Sequence, residues 1–180
     1  MKKIDRRSFV KSTTISSGAL ISVPFSLDAM ANSFNNRKLK LAVIGCGGRG
    51  TGAAIQALKA DKDVELVSMA DAFQDNLENS LKSILKEFEE IKKIKVKEKN
   101  RFVGFDAYKK AIDLADVVIL ATPPGFRPQH FEYAINNDKH VFMEKPVATD
   151  PNGVRKVLKS VKLAEIKKLN VVVGLQRRYQ

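Results

Sequence analysis

Six short apolar runs recur along the chain, and a longer polar or alanine-rich segment separates each run from the next. Runs this short and this apolar are typical of strands that are buried on both faces of a parallel sheet. Strands that alternate with helices predict an α/β fold built on a doubly wound parallel sheet. The predicted strands span residues 39–44, 64–70, 101–105, 117–121, 140–143 and 171–174.

The segments between the runs predict helices, which span residues 51–60, 82–101, 107–114, 127–137 and 151–169. The second helix is rich in lysine, and its apolar residues recur at helical spacing, which indicates an amphipathic helix with a solvated basic face. Asp150 is expected to cap the last helix, because its carboxylate can accept hydrogen bonds from the free N–H groups of the first turn. Pro151 suits the first helical position.

A glycine-rich turn follows the first predicted strand. Its sequence, Gly45-Cys46-Gly47-Gly48-Arg49-Gly50, fits the spacing G-x-G-x-x-G. The first glycine of such a motif permits a tight turn, the second lets the backbone approach phosphates, and the third allows close packing of helix on strand. The helix that begins here offers free N–H groups and the positive end of its dipole to an anion. The motif therefore predicts a pyrophosphate site formed by the four glycines and Arg49.

Polar residues follow three further predicted strands. The second strand ends at Asp71, where a carboxylate can accept hydrogen bonds from the ribose hydroxyls of adenosine and would repel a 2′-phosphate, so NAD is favoured over NADP. Thr122 and Pro123 follow the fourth strand, and Glu144 and Lys145 follow the fifth. Ligands of doubly wound sheets bind at the carboxyl ends of the strands. These residues and the glycine-rich turn are therefore expected to share one Rossmann-type dinucleotide site, with a proton-handling lysine beside the nicotinamide.

The N-terminus has the layout of an export signal. Two arginines, Arg6 and Arg7, precede a mildly apolar stretch, and Ala29-Met30-Ala31 fits a cleavage site. This layout resembles a twin-arginine (Tat) signal, and that route carries proteins already folded. The apolar stretch is too short for a permanent membrane anchor. We therefore expect residues 1–31 to be a signal peptide handled by the Tat export machinery, and residues 32–180 to be a periplasmic or other extracytoplasmic NAD(P)-binding domain.

The chain is basic, with a formal net charge of +12 from 32 lysine and arginine residues and 20 acidic residues. Charge alone gives little support for nucleic-acid binding, because no aromatic residues are interleaved with the basic ones. The single cysteine, Cys46, excludes an intramolecular disulfide and is expected to be a small structural residue of the turn. No cysteine and histidine cluster has the spacing of metal ligands, so no metal site is expected. No nucleic-acid partner is expected either, for the reason of composition given above.

The chain from Leu39 onward resembles the Gfo/Idh/MocA oxidoreductase family in four segments: the glycine-rich turn, Ala121–Pro124, His140–Pro146 and Gly174–Tyr179. The resemblance implies bound NAD(P) and hydride transfer at a carbinol carbon of a sugar, polyol or cyclitol. Family members continue with a second α/β domain that supplies the substrate pocket and the oligomer surface. The chain is therefore expected to be the nucleotide-binding half of an enzyme that is a homo-oligomer at full length, with the C-terminal domain missing.

The resemblance also implies roles for single residues. Lys145 is implied to be catalytic and to lie beside both the nicotinamide and the substrate hydroxyl. Glu144 is implied to help hold the nicotinamide ribose, and Thr122 and Pro123 to line the cofactor. The chain departs from secreted relatives at Gly125, where these often carry a histidine.

Two alternatives to a simple oxidoreductase stay open. An exported enzyme of the same fold can be an NAD-dependent glycosidase, which oxidises a sugar transiently, eliminates the aglycone and reduces the sugar again. The chain can also be a non-catalytic NAD-binding remnant. The sequence leaves the role of His130 open, because its direction on the predicted helix is not fixed.

Overall fold

The computed structural model describes residues 38–88 and 91–175. The predicted signal peptide with its cleavage site, Glu89 and Glu90, and the segment from Gln176 to the end lie outside the described residues. The described elements are β1 Leu39–Ile44, α1 Gly48–Ala60, β2 Val64–Asp71, α2 Gln74–Glu87, 3₁₀ turns Ile91–Lys93 and Glu98–Asn100, β3 Arg101–Val103, α3 Ala107–Asp113, β4 Val117–Leu120, α4 Arg127–Asn136, β5 His140–Glu144, α5 Pro151–Ile166 and β6 Val171–Gly174. In these ranges no helix is both long enough and apolar enough to cross a membrane.

The strands form one parallel sheet in the order β3-β2-β1-β4-β5-β6. The order reverses between β1 and β4, and such a reversal opens a crevice at the carboxyl ends of the strands. The pairing sets Ile44 beside Leu120, and Leu120 beside Met143. The loops that follow β1, β4 and β5 therefore begin side by side. The predicted doubly wound sheet is confirmed.

Two apolar cores hold the helices against opposite faces of the sheet. Leu41 and Val43 of β1 pack with residues of α1 and α2, whereas Ala42 and Ile44 pack with residues of α3, α4 and α5. Successive side chains of a strand point to opposite faces, so one apolar strand contributes to both cores. The helices cover the two faces of the sheet, and the loops that follow the strands lie at its carboxyl edge.

The predicted helix over residues 82–101 is wrong in its bounds, since α2 ends at Glu87. Beyond α2 the chain returns to the sheet beside β2, where Ile94 forms a parallel bridge with Leu66. The N–H of Lys95 donates to the carbonyl oxygen of Leu66 at 2.7 Å. Ile94 itself is buried in the core with α1 and α2. Apolar residues that are spaced as in a helix are therefore used here for contacts with the sheet.

Smaller differences occur at the ends of other elements. α1 begins at Gly48, three residues before the predicted start. β3 is shorter than predicted because Gly104 turns the chain with a φ of +117°. α5 ends at Ile166, since Lys168 adopts a left-handed φ of +56°. The predicted cap of α5 is confirmed, because the Asp150 carboxylate accepts hydrogen bonds from two backbone N–H groups of the first turn.

Candidate cofactor site

Close packing explains two glycines of the turn after β1. Gly45 has a φ of +93°, and a Cβ on it would lie 2.6 Å from the backbone nitrogen of Thr122. A Cβ on Gly50 would lie only 1.9 Å from the carbonyl oxygen of Gly45. Real Cβ atoms do not approach backbone atoms this closely, so both positions require glycine. The turn and the start of α1 can pack together only with these two residues.

The other two glycines leave space at the start of α1. Gly47 and Gly48 are exposed, and a Cβ on either would meet no atom within 4 Å. No described side chain caps the helix at Gly47, and its first turn holds no acidic residue. The N–H of Thr51 donates to the carbonyl oxygen of Gly47 at 3.0 Å, which leaves the N–H groups before Thr51 for a ligand. A bare helix N-terminus of this kind fits a pyrophosphate.

Asp71 joins the end of β2 to the glycine-rich turn. Its Oδ2 accepts a hydrogen bond from the backbone N–H of Cys46 at 2.6 Å, and its Oδ1 accepts one from the N–H of Phe73 at 3.0 Å. These bonds fix the orientation of the carboxylate. Nδ2 of Asn76 also donates to Oδ1 of Asp71 at 3.3 Å. A carboxylate has about four acceptor positions, so Asp71 keeps about one for a ribose hydroxyl.

Cys46 is buried beneath the same turn. Burial, with a smaller contribution from the negative charge of Asp71, raises the pKa of the Cys46 thiol to about 12. The thiol is therefore protonated at neutral pH, and its Sγ lies 3.5 Å from the carbonyl oxygen of Ala70. A protonated, buried thiol is consistent with the structural role expected for this residue.

Arg49 and Glu144 form an ion pair between the glycine-rich turn and the end of β5. Nε and Nη2 of Arg49 each lie 2.7 Å from Oε1 of Glu144. The glutamate side chain is only 7% exposed, whereas the arginine side chain is 49% exposed. Glu144 also packs against Gly174 of β6, where a Cβ would lie 2.7 Å from Oε1. The carboxylate is therefore fixed from two sides.

Lys145 is exposed directly after β5, and its peptide bond with Pro146 is cis. Together with Thr122 and Pro123 it lines a cleft of about 640 Å³ at the carboxyl edge of the sheet. Eight of the ten predicted site residues line this cleft; they are Gly45, Gly47, Arg49, Asp71, Thr122, Pro123, Glu144 and Lys145. The remaining two differ in placement, because Gly50 is buried under the turn and Gly48 is exposed on it.

His130 lines the cleft from α4. Its Nδ1 lies 3.2 Å from Oγ1 of Thr122, and its ring lies 4.1 Å from that of Tyr108. Burial, followed by the positive charge of Arg127, lowers the pKa of His130 from 6.5 to about 4. The imidazole is therefore neutral at neutral pH. Its Nδ1 and the Thr122 hydroxyl form one hydrogen bond, in which either group can be the donor.

The sequence did not indicate several other residues of the cleft. Three exposed phenylalanines line it, and the rings of Phe105 and Phe126 stack with centroids 5.9 Å apart. The third, Phe73, follows β2 and is 61% exposed. Arg127 also lines the cleft and is 3% exposed. Each of these residues stands shortly after a strand end, which is the sequence signal that could have identified them.

Comparison with protein families assigns the chain to a family. Residues 39–175 match the family GFO_IDH_MocA, described as an oxidoreductase family with an NAD-binding Rossmann fold. The chain therefore belongs to the Gfo/Idh/MocA oxidoreductase family, and its described part is the NAD-binding Rossmann domain. The predicted fold class and the predicted cofactor, NAD, are confirmed. No curated protein matches the chain.

Solved structures include similar domains in larger enzymes. The chain is 26% identical to myo-inositol 2-dehydrogenase from Lactobacillus plantarum (TM-score 0.63; 79% of this chain and 38% of that chain). It is 27% identical to the WlbA dehydrogenase from Chromobacterium violaceum, solved with NADH and UDP-GlcNAcA (TM-score 0.59; 79% and 36%). Apo scyllo-inositol dehydrogenase from Lactobacillus casei shares the fold at 22% identity (TM-score 0.62; 81% and 39%). The chain thus spans less than half the length of these proteins.

Proposed function

We propose that the chain is the nucleotide-binding half of an exported NAD-dependent oxidoreductase that acts on a hydroxyl group of a sugar, polyol or cyclitol. The observation that carries the proposal is the convergence of the glycine-rich turn, Asp71 and the Glu144–Lys145 pair on one cleft. Family membership supports hydride chemistry. Neighbouring structures support the substrate class, since one is named a myo-inositol 2-dehydrogenase and another holds UDP-GlcNAcA.

The cleft offers complementary groups for both ends of NAD. The bare start of α1 suits the pyrophosphate, and the fixed carboxylate of Asp71 suits the adenosine ribose hydroxyls. A 2′-phosphate would meet the negative charge of Asp71, so we expect NAD to bind more tightly than NADP. Thr122 follows β4 and Glu144 ends β5, on the other side of β1 from Asp71. There Glu144 would hold the nicotinamide ribose and Thr122 would line the nicotinamide ring.

Proton transfer is assigned to Lys145. When bound, NAD supplies the hydride acceptor. Oxidation of an alcohol also releases the hydroxyl proton, and Nζ of Lys145 would accept it. In the reverse direction the ammonium group would return the proton to the oxygen. Glu144 stays paired with Arg49 in this scheme. Its carboxylate would position the nicotinamide ribose and would not transfer a proton.

The remainder of the protein is part of the proposal. The related structures are more than twice as long as the segment that the chain covers in them. We assign the substrate pocket and the homo-oligomer contacts to a further domain. Arg6, Arg7 and Ala29-Met30-Ala31 support export of the folded, NAD-loaded domain by the Tat machinery to the periplasm or another extracytoplasmic site.

The cofactor and the reaction are tested in two steps. Titration of the purified 180-residue chain with NAD and with NADP is expected to show tighter binding of NAD, and absence of NAD binding would contradict the proposal. The full-length gene product should then reduce NAD with a sugar, polyol or cyclitol. Steady glycoside cleavage without added cofactor would indicate the glycosidase alternative. NAD binding without turnover on either type of substrate would indicate the non-catalytic one.

Export is tested separately. Residues 1–31 fused to a reporter that folds in the cytoplasm are expected to direct it across the membrane. Replacing both arginines, Arg6→Lys with Arg7→Lys, should stop export, whereas the control pair Lys2→Gln with Lys3→Gln should retain it. Export that is unchanged by the arginine replacements would contradict the Tat assignment.

A further inference from the structure

We infer that Arg127 is a positioning residue for Lys145, an inference that rests on the proposed function. Arg127 is the first residue of α4 and follows the turn after β4. Its Nη1 donates to the carbonyl oxygen of Glu144 at 2.6 Å and also to that of Pro146. Its Nη2 donates to the carbonyl oxygen of Thr122. One guanidinium group therefore holds the backbone on both sides of Lys145 and ties it to the loop after β4.

The shape of the guanidinium group suits this arrangement. Arginine presents its donors in a rigid planar fork, whereas lysine offers a compact point charge on a flexible stem. Carbonyl oxygens on two separate loops can be reached at once only by such a fork. A lysine at position 127 would keep the positive charge and could not reproduce the three bonds.

Burial of Arg127 is unfavourable unless its contacts compensate for it. The residue is 3% exposed, and burial lowers its pKa, although the negative charge of Glu144 opposes that effect. Nε of Arg127 has no hydrogen-bond partner among the described residues. Burying an incompletely paired cation costs free energy. An apolar residue would fill this space at lower cost, so the hydrogen bonds to the loops are the property that distinguishes arginine here.

The position of the Lys145 ammonium group depends on its backbone. The side chain is exposed, and among the described residues no hydrogen bond or ion pair holds it. Whatever fixes the peptide groups on both sides of Lys145 therefore decides where its Nζ can reach in the cleft. Displacements of about 1 Å in a reactive group can reduce a rate by about two orders of magnitude. Arg127 supplies the fixation without touching the reacting atoms.

Local disorder, and not unfolding, is the expected result of losing these bonds. Lys145 and Pro146 are exposed, so water can reach this edge of the cleft and hydrate the carbonyl oxygen of Pro146 that Arg127 releases. The sheet and both apolar cores are built by other residues. Substitution of Arg127 should therefore change the segment around Lys145 much more than the rest of the domain.

The test uses the 180-residue chain with Arg127→Lys and Arg127→Gln. Arg101→Lys is the matched control, because Nε of Arg101 is also buried without a partner among the described residues, on β3 and outside the cleft. Each protein is acetylated with a small amine reagent with and without NAD, and the modification of single lysines is followed by mass spectrometry. Lys59, on α1, is the internal reference.

In the wild type and in Arg101→Lys, NAD should protect Lys145 from acetylation. In both Arg127 variants the protection of Lys145 should fall by about tenfold, the scale of one lost charge-assisted hydrogen bond. Amide hydrogen exchange in residues 144–146 should accelerate by a similar factor without NAD, while Lys59 keeps its wild-type reactivity.

Three results would overturn the inference. Equal protection of Lys145 in wild type and Arg127→Lys would remove the positioning role and leave the proposed function intact. Loss of cooperative unfolding in Arg127→Lys, where Arg101→Lys retains it, would make Arg127 a residue of general stability. Absence of NAD protection at Lys145 in the wild type would contradict the role proposed for Lys145, and the positioning role would fail with it.

Discussion

Arg49 and Glu144 are 95 residues apart in the sequence, and their side chains meet at 2.7 Å at the carboxyl edge of the sheet. The pair links the turn assigned to the pyrophosphate with the strand end assigned to the nicotinamide. It is asymmetric, because the carboxylate is buried and the guanidinium group is half exposed. Because the guanidinium group is half exposed and lines the cleft, this pair is expected to affect ligand binding as well as stability.

Replacing Arg49 separates these two effects. Arg49→Ala should lower the free energy of unfolding by about 1–3 kcal/mol, because it leaves the buried carboxylate of Glu144 without its partner. It should weaken NAD binding by about tenfold, because it removes a cation from the cleft. Thermal unfolding and NAD titration measure the two quantities. Lys59→Ala is the control for NAD binding, because Lys59 lies on the same helix as Arg49 and pairs with Glu87 of α2. Unaltered NAD affinity in Arg49→Ala would remove the arginine from the cofactor site.

Asp71 is expected to select the cofactor. Asp71→Ala should weaken NAD binding by about tenfold to a hundredfold, since hydrogen bonds to a charged group are lost. The preference for NAD over NADP should shrink at the same time, because the charge that repels a 2′-phosphate is gone. Titration with each nucleotide measures both effects. Asp75→Ala, on the exposed first turn of α2, should leave both affinities unchanged. Unchanged affinities in Asp71→Ala would place the ribose elsewhere.

The glycines of the turn should respond in opposite ways to alanine. Gly50→Ala places a methyl group 1.9 Å from a backbone oxygen and should destabilise the fold by about 1–3 kcal/mol or more. Gly47→Ala meets no protein atom and should retain stability but weaken NAD binding. Gly52→Ala is the control, because a Cβ at this position of α1 meets no atom within 4 Å. It should raise the free energy of unfolding by about 0.4–1 kcal/mol. Equal melting temperatures for Gly50→Ala and Gly47→Ala would contradict the close packing of Gly50 against Gly45.

His130 should make stability depend on pH. Its pKa is lowered from 6.5 to about 4 in the folded protein, so between these values the unfolded chain binds more protons. The contribution of His130 to the free energy of unfolding is complete above pH 6.5. It is lost as the pH falls towards 4, by about 3 kcal/mol in total. Denaturant unfolding of wild type and His130→Gln across this range measures it, and the variant should show the smaller slope. Identical slopes in the wild type and in His130→Gln would refute the assignment.

Lys145 is expected to affect turnover and not affinity. In the full-length enzyme, Lys145→Ala should reduce kcat by about two to four orders of magnitude, the usual scale of general acid–base catalysis. NAD binding should change little, because the ammonium group is not needed to hold the phosphates. Lys159→Ala, exposed on α5, should keep the wild-type rate. A wild-type rate in Lys145→Ala would remove this residue from the mechanism.

Strand positions were predictable because buried parallel strands are short and mostly apolar. The sequence placed β1 and β6 at their observed bounds, and the other strands differ by one or two residues. Helix bounds were harder near residue 88, because helical spacing alone cannot show that Ile94 pairs with Leu66 of β2. Long-range contacts override local periodicity at such places.

The candidate site was predictable where function requires a particular residue type. Glycines at a tight turn and an acid at the end of β2 have few substitutes, so their spacing is informative. Arg127 was missed because its partners are backbone carbonyls, which any residue supplies. The phenylalanines of the cleft were missed for a related reason, since aromatic residues more often form cores than exposed surfaces.

The contact between Gly174 and Glu144 links two positions in the evolution of this domain. A side chain at position 174 would enter the space of the buried carboxylate. Alanine there would force the Glu144 carboxylate to shift, and the shift would weaken its ion pair with Arg49. Homologous sequences should therefore retain glycine at 174 wherever they retain glutamate at 144, and the two positions should change together.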